Sequence, residues 1–187
     1  MLDLLRRPSR ARLRELSGAL YFYLLDPGGY AVGMISQRTF PAYEPQNAGF
    51  ETLIRQSMAM QPMMKTMGAT IEMIAPGAVT MRLPFHRRFT QQNGYLHAGV
   101  VTTMLDSACG YAAFTLVPAG SNLLSVEFKV NLLSPAKGSA FLATGRVLKA
   151  GKTLTICEGE LTAIGTQQEE KMVAVMTATM MVMRLKE

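Results

Sequence analysis

At 187 residues, 49% of them hydrophobic, the chain is sized for one domain with a sizeable core and a modest appendage. Its net charge of +6 suits a polyanionic ligand, but without a basic helix or an aromatic platform it argues against a nucleic-acid module. The two cysteines, Cys109 and Cys157, form no CxxC and join no His/Cys cluster of metal-ligand spacing. They read as small buried hydrophobes in a reducing, cytoplasmic setting.

Five arginines fall between Arg6 and Arg14, broken by Pro8. The apolar run 18–25 stops at Asp26-Pro27-Gly28-Gly29, too soon for a secretory signal, and Asp3, Glu15 and Asp26 argue against a mitochondrial presequence. The expectation is a partly ordered extension with a short helix over 10–25. Pro41, Pro45, Asn47 and Gly49 then mark a linker, so residues 1–49 are read as extension and linker, and 50–187 as the main domain.

Phe50, Leu53, Ile54 and Met58 recur with a helical period over 50–60, and Pro62 is read as closing that helix. Extended segments are expected at 69–74 and 78–85, joined by a Pro76-Gly77 hairpin turn. Val79, Met81, Leu83 and Phe85 share one face of the second. A loop, Gln91-Gln92-Asn93-Gly94-Tyr95-Leu96-His97, leads into a long apolar helix rich in small residues, expected to be buried nearly all round. Asp106 in its middle makes a membrane span costly. After the stop signal Pro118-Ala119-Gly120, four more strands are expected at 123–133, 139–149, 153–164 and 171–185. The last is apolar at both odd and even positions, so its outer face should also be covered, which points to subunit association. The order predicts an α+β domain, an antiparallel sheet wrapped around a long central helix.

Asp106 is the informative residue, because Asp is a poor helix former and rarely sits buried without a partner. It is either bonded to backbone or to the hydroxyl of Ser107 or Thr103, or it is a reactive carboxylate whose apolar setting raises its basicity. A nucleophilic Cys109 lacks a histidine on its helix to activate it. His97, Ala98 and Gly99 stand where the helix begins. Its first N–H groups have no internal partner and carry the positive end of the dipole, a ready oxyanion site. His97 and Asp106 are nine residues apart, about 13 Å and 2.5 turns, hence on opposite faces. One helix cannot aim both at one atom, whereas two helices related by a two-fold axis can.

Gly94-Tyr95-Leu96-His97-Ala98-Gly99, Leu105-Asp106-Ser107-Ala108, Leu124-Ser125-Val126-Glu127, the run Asn131 to Ala136 and the turn Lys149 to Thr153 resemble the hotdog-fold thioesterases of the phenylacetate-degradation (PaaI) type. The resemblance implies a hotdog fold and hydrolysis of an aromatic or medium-chain acyl-coenzyme A without a cofactor or metal, by a homodimer or homotetramer with no membrane partner. It implies Asp106 as general base or nucleophile, and the N–H of Ala98, with Gly99, polarising the thioester carbonyl. Gln91, where many members have Asn, would position water or carbonyl; His97 would hold the loop and thioester, and Ser125 would assist. Arg87, Arg88, Lys149 and Lys152 would meet coenzyme A phosphates. The family often has Gly where this chain has Ala98. Two other readings compete: a hotdog hydratase or dehydratase, whose His-Phe-Pro or Asp-Xaa-Asn-Pro-Xaa-His runs are missing, and a non-catalytic acyl-CoA-binding hotdog protein.

Overall fold

A computed structural model describes the backbone of residues 10–16, 19–25, 31–37 and 42–184, and the side chains of 42–183. The chain divides into two compact units, Met1–Pro41 and Ala42–Glu187. The first is a three-stranded antiparallel sheet of β1 (Arg10–Leu16), β2 (Ala19–Leu25) and β3 (Ala31–Gln37), in that order. The helix expected over 10–25 is therefore corrected to two paired strands, with Arg10 opposite Leu25 and Leu16 opposite Ala19. Two sequence features favour the strands. Arginine recurs at 10, 12 and 14 with the period of a strand, and 19–25 carries three aromatic residues in succession. Pro8, the run Asp26-Pro27-Gly28-Gly29, Pro41 and Leu185 lie outside the described residues.

In the second unit, α1 (Phe50–Met60) ends as expected, but Pro62 opens a further helix, α2 (Pro62–Met67), instead of only closing the first. Proline fits the first helical position, where its missing N–H is not needed. The sheet contains β4 (Thr70–Ala75), β5 (Ala78–Pro84), β6 (Ser121–Leu132), β7 (Ala140–Ala150), β8 (Leu154–Ile164) and β9 (Glu170–Arg184), in the spatial order β4-β5-β7-β8-β9-β6. Every pairing is antiparallel. The central helix α3 (Ala98–Phe114) lies across this sheet, chiefly against β7. This is the hotdog arrangement. No helix among the described residues is long and apolar enough to cross a membrane.

Small residues let α3 sit against the sheet backbone. A Cβ on Gly145 of β7 would lie 2.3 Å from the Ala108 carbonyl, and one on Gly159 of β8 would meet Cys109 Sγ at 2.9 Å. Met104, Leu105, Ala108, Cys109, Ala112 and Ala113 are all fully buried on this side. The C-terminal end of the helix is tied down by polar bonds. Buried Thr115 donates from Oγ1 to Ala112 O at 2.7 Å and accepts the Gly77 N–H at 2.7 Å, joining the β4–β5 turn to α3. Gln46 Nε2 donates to Leu116 O at 2.9 Å, so part of the 42–49 segment is fastened to the same end.

Three expectations are corrected. Phe85 is 39% exposed, because β5 ends at Pro84. The helix is not buried nearly all round: Gly99, Thr103, Asp106 and Gly110, spaced along one face, are half-buried or exposed. The outer face of β9 is not apolar throughout. Its Thr177 and Thr179 lie opposite Lys129 and Glu127 of β6, and Val175 and Thr177 lie opposite Glu160 and Glu158 of β8. One end is apolar, where Leu124, Met181 and Leu154 stand in register. One strand read alone shows one row of a face; its neighbours decide the polarity of the whole.

Gly145→Ala places a methyl group into the α3 backbone and is expected to destabilise the domain by about 1–3 kcal/mol. Chemical denaturation monitored by circular dichroism checks this; an unchanged midpoint would mean that helix and sheet are not in backbone contact there.

Candidate functional site

The loop before α3 is fixed at both sides. Gln91 N–H donates to Tyr95 O at 2.9 Å and Gly94 N–H to Gln91 O at 3.0 Å, with Gly94 at φ 82, a conformation that favours glycine. Leu96 N–H reaches Ala136 O at 3.0 Å and His97 N–H reaches Phe89 O at 2.8 Å. His97 is thereby set as the cap of α3. Its Nδ1 accepts the Gly99 N–H at 2.9 Å, so the ring proton of a neutral His97 sits on Nε2.

Val100 and Val101 donate to His97 O. With Gly99 bound to His97 Nδ1, Ala98 carries the N–H of the first turn that these bonds leave over. Ala98 is exposed and lines a cavity of about 430 Å³ with Gln91, Tyr95, Leu132, Leu133 and Val173. Gln91 Oε1 accepts the Asn93 N–H inside the loop, which leaves the Gln91 amide NH₂ as the group able to donate.

Asp106 has a different partner from either neighbour named by the sequence. Thr103 Oγ1 donates to Gly99 O at 2.8 Å, back into its own helix. The hydroxyl that reaches Asp106 comes from β6: Ser125 Oγ donates to Asp106 Oδ1 at 2.6 Å, the length of a charge-assisted bond. Ser125 Oγ also lies 3.4 Å from Met180 Sδ, a weak acceptor. Asp106 is half-buried and lines a cavity of about 210 Å³ with Ser125, Ser57, Gln61, Gly110 and Tyr111.

Within one chain the expected residues thus fall into two groups. Gln91 and Ala98 line one cavity, Asp106 and Ser125 the other, and no residue lines both. Arg87 and Arg88 are exposed on a 3-10 turn, Arg87–Phe89, where His86 Nδ1 accepts the Arg88 N–H at 3.1 Å. The Thr90–Leu96 bridge attaches that turn to the loop before α3. Lys149 and Lys152 are exposed near the β7–β8 turn, and Lys152 lines a cavity with Leu116 and Val117, past the other end of α3. In one chain the two pairs of cations do not converge.

The cysteines do not supply a nucleophile. Cys109 and Cys157 are fully buried. Burial pushes the Cys109 thiol well above its ordinary range, with Cys157, Asp106 and Glu158 adding to the rise. Burial alone pushes Cys157 up to about 12. Iodoacetamide at pH 8 should label neither in the native protein and both in denaturant; mass spectrometry reads the outcome, and rapid native labelling of Cys109 would restore it as a candidate.

Sequence reasoning missed Ser57, Gln61 and Tyr111, which share the Asp106 cavity. They come from α1, its end and α3, and no local pattern announces that α1 lies beside Asp106.

Residues 93–170 match the family model of the thioesterase superfamily. Acyl-coenzyme A thioesterase 13 of Homo sapiens is 33% identical over 94 residues, a stretch that covers 50% of this chain and 66% of that protein. A thioesterase family protein from Silicibacter pomeroyi, solved by crystallography, is 47% identical, with a TM-score of 0.72, covering 73% of this chain and 100% of that one. The E. coli PaaI protein from the phenylacetic acid degradation operon shares the fold, at a TM-score of 0.64 and 17% identity over 75% of this chain and 96% of that one. With the superfamily match running through the central helix and a solved relative matched end to end at nearly half identity, the chain belongs to the thioesterase superfamily, thioester hydrolases of the hotdog fold.

Proposed function

We propose that this chain hydrolyses acyl-coenzyme A thioesters carrying an aromatic or medium-chain acyl group, at sites shared between two copies. The observation that carries the reading is the 2.6 Å bond from Ser125 Oγ to Asp106 Oδ1 beside a cavity. That bond fixes one carboxylate oxygen and leaves Oδ2 to take a proton from water. The hydroxide equivalent attacks the thioester carbonyl, and the oxygen's developing charge is met by the Ala98 N–H at the positive end of α3. Collapse of the tetrahedral intermediate expels the coenzyme A thiolate, which recovers the proton from Asp106. The amide NH₂ of Gln91, in the Ala98 cavity, is placed to hold the carbonyl or the water. His97 keeps the helix start in shape through its bond to Gly99. Arg87, Arg88, Lys149 and Lys152 supply cations for the coenzyme A phosphates.

Asp106→Asn keeps the shape and removes the base. Turnover should fall by about 10²–10⁴ with the fold intact. Ser125→Ala, which removes one bond to a charged group, should cost less, about 10–100-fold. Release of free thiol from an acyl-CoA panel measures both, and an Asp106→Asn activity within a few-fold of wild type removes Asp106 from the chemistry.

The separation of Ala98 from Asp106 along α3 supports a dimeric site. Eight residues of helix span about 12 Å, whereas a reacting carbonyl must lie within about 3 Å of its oxyanion donor and within reach of the base. Two antiparallel copies, related by a two-fold axis, bring the Ala98 cavity of one against the Asp106 cavity of the other. Ala98→Trp and Asp106→Asn should each inactivate. Isolated mixed dimers carrying one of each would hold one intact site and recover up to about half the wild-type rate; inactive but folded mixed dimers would rule out the shared site.

A further inference from the structure

A further cavity, of about 310 Å³, lies between α1, α2 and the edge strand β4. It shares no lining residue with the Ala98 cavity or the Asp106 cavity. Its floor is apolar. Met58 is 9% exposed and Met64 1%, with Ala69 and Ile71 half-buried beside them. Methionine side chains adapt to occupants of different shape. Concave, mostly apolar surfaces with a few polar groups are where small molecules bind.

The polar groups here are cationic or neutral. Arg55, Lys65 and Thr70 line the cavity, and no carboxylate does. Arg55 is engaged: Glu51 Oε1 accepts from its Nε at 3.1 Å and from its Nη2 at 2.7 Å. Glu72, next to Ile71, pairs with Arg82 at 3.3 Å. Lys65 has no acid partner among the described residues. The apolar floor thus meets one ammonium whose charge is unmatched. Size sets the length of a tail. With a methylene about as bulky as a water, at about 30 Å³ each, the cavity of about 310 Å³ holds a chain of about ten carbons. Coenzyme A, with several phosphate charges, finds too few free cations here.

Helix α1 is the wall between this cavity and Asp106. Arg55 and Ala59 stand two residues before and after Ser57, which lines the Asp106 cavity. Two residues of helix turn about 200°, so these side chains leave α1 on the face opposite Ser57. A chain seated in the cavity bears on one face of α1, while the other face borders the space beside the carboxylate. We propose that this cavity is a second, non-catalytic site for a free single-tailed carboxylate of about ten carbons, its head on Lys65 and its tail along Met58 and Met64. Its effect on turnover rests on the thioesterase reading. The free acid is then of the product class, and its binding presses α1 toward the Asp106 cavity and slows the enzyme. An intact thioester has no carboxylate to offer Lys65, so the site tells product from substrate.

Isothermal titration calorimetry with decanoate, below its micelle range, tests binding to the full chain in its native assembly. Wild type should bind decanoate about five- to tenfold more tightly than decanol, which has the tail without the charge. In Lys65→Glu, decanoate affinity should fall by about that factor or more, with decanol affinity unchanged. Ala59→Phe, which fills the cavity from α1, should weaken both. Decanoate binding unchanged by both substitutions, decanoate and decanol bound alike, or no decanoate bound at millimolar concentration each overturns the site. Thiol release gives the second arm. On an acyl-CoA that wild type hydrolyses, decanoate should lower kcat, an inhibition that added substrate does not relieve. Lys65→Glu should keep the basal rate and lose most of this inhibition. Inhibition that substrate relieves fully, in wild type and Lys65→Glu alike, places decanoate in the thioester site and overturns the coupling through α1. If no acyl-CoA is hydrolysed, the thioesterase reading falls, and calorimetry alone still decides the binding site.

Discussion

The seating of α3 on the sheet is the constraint on which the rest depends. Gly145 and Gly159 leave no side chain between strand and helix, so the backbone of Ala108 and the side chains of Leu105 and Cys109 rest directly on β7 and β8. A contact that close admits one rotation of the helix. Met104, Leu105, Ala108, Cys109 and Ala112 then point into the core, and Gly99, Thr103, Asp106 and Gly110 are carried to the other side. Asp106 is thus turned away from the core by packing beneath it and not by any preference of its own. Because protein interiors are close-packed, a change under the helix would move the carboxylate above it.

The same helix acts as a ruler. Its N-terminus, capped by His97, presents the Ala98 N–H to one cavity, and its middle presents Asp106 to another. A straight helix cannot fold back to join them. A single chain therefore sets a spare helix N–H and a carboxylate in separate cavities, and under the proposed function a two-fold operation is the simplest one that joins them. The small and polar residues on the open face of α3 suit the close approach of a second helix. The outer face of the sheet, with its Thr, Glu and Lys rows, is less suited to close packing than the sequence of β9 alone suggests.

What was legible in the sequence follows from where the signals reside. Turns marked by Pro76-Gly77, Pro118-Ala119-Gly120 and Ala150-Gly151 placed the strands to within one or two residues, because those residues act locally. The loop and helix start at His97 were legible for the same reason, and Asp106 stood out as a carboxylate in an apolar run. The failures share a cause. Strands β1 and β2 carry their signal in arginines alternating at 10, 12 and 14 and in the aromatic run 21–23, a pattern of period two that a helix over 10–25 does not use. Ser125 was legible through resemblance, but its bond to Asp106 spans 19 residues of sequence and depends on strand register. Gln61 and Tyr111 were missed since their meeting with Asp106 depends on how α1 lies on α3, which no periodicity encodes.

That register rests on a bulge. In β6, Ser125 is opposite Met180 and Glu127 is opposite Thr179, so Val126 has no partner and the strand changes phase there. Before the bulge, Leu123 and Ser125 face α3; after it, Phe128 and Val130 lie opposite Ala178 and Met176, the core side of β9. On the outer face, Thr179 Oγ1 donates to Glu127 Oε1 at 2.9 Å and holds the residue directly after the bulge. A regular strand with the downstream pairing unchanged would turn position 125 outward and leave Asp106 without its hydroxyl. The run Leu124-Ser125-Val126-Glu127 is therefore read as one device: Glu127 fixes the phase on one face so that Ser125 can reach the carboxylate on the other. Glu127 makes this bond without lining either cavity.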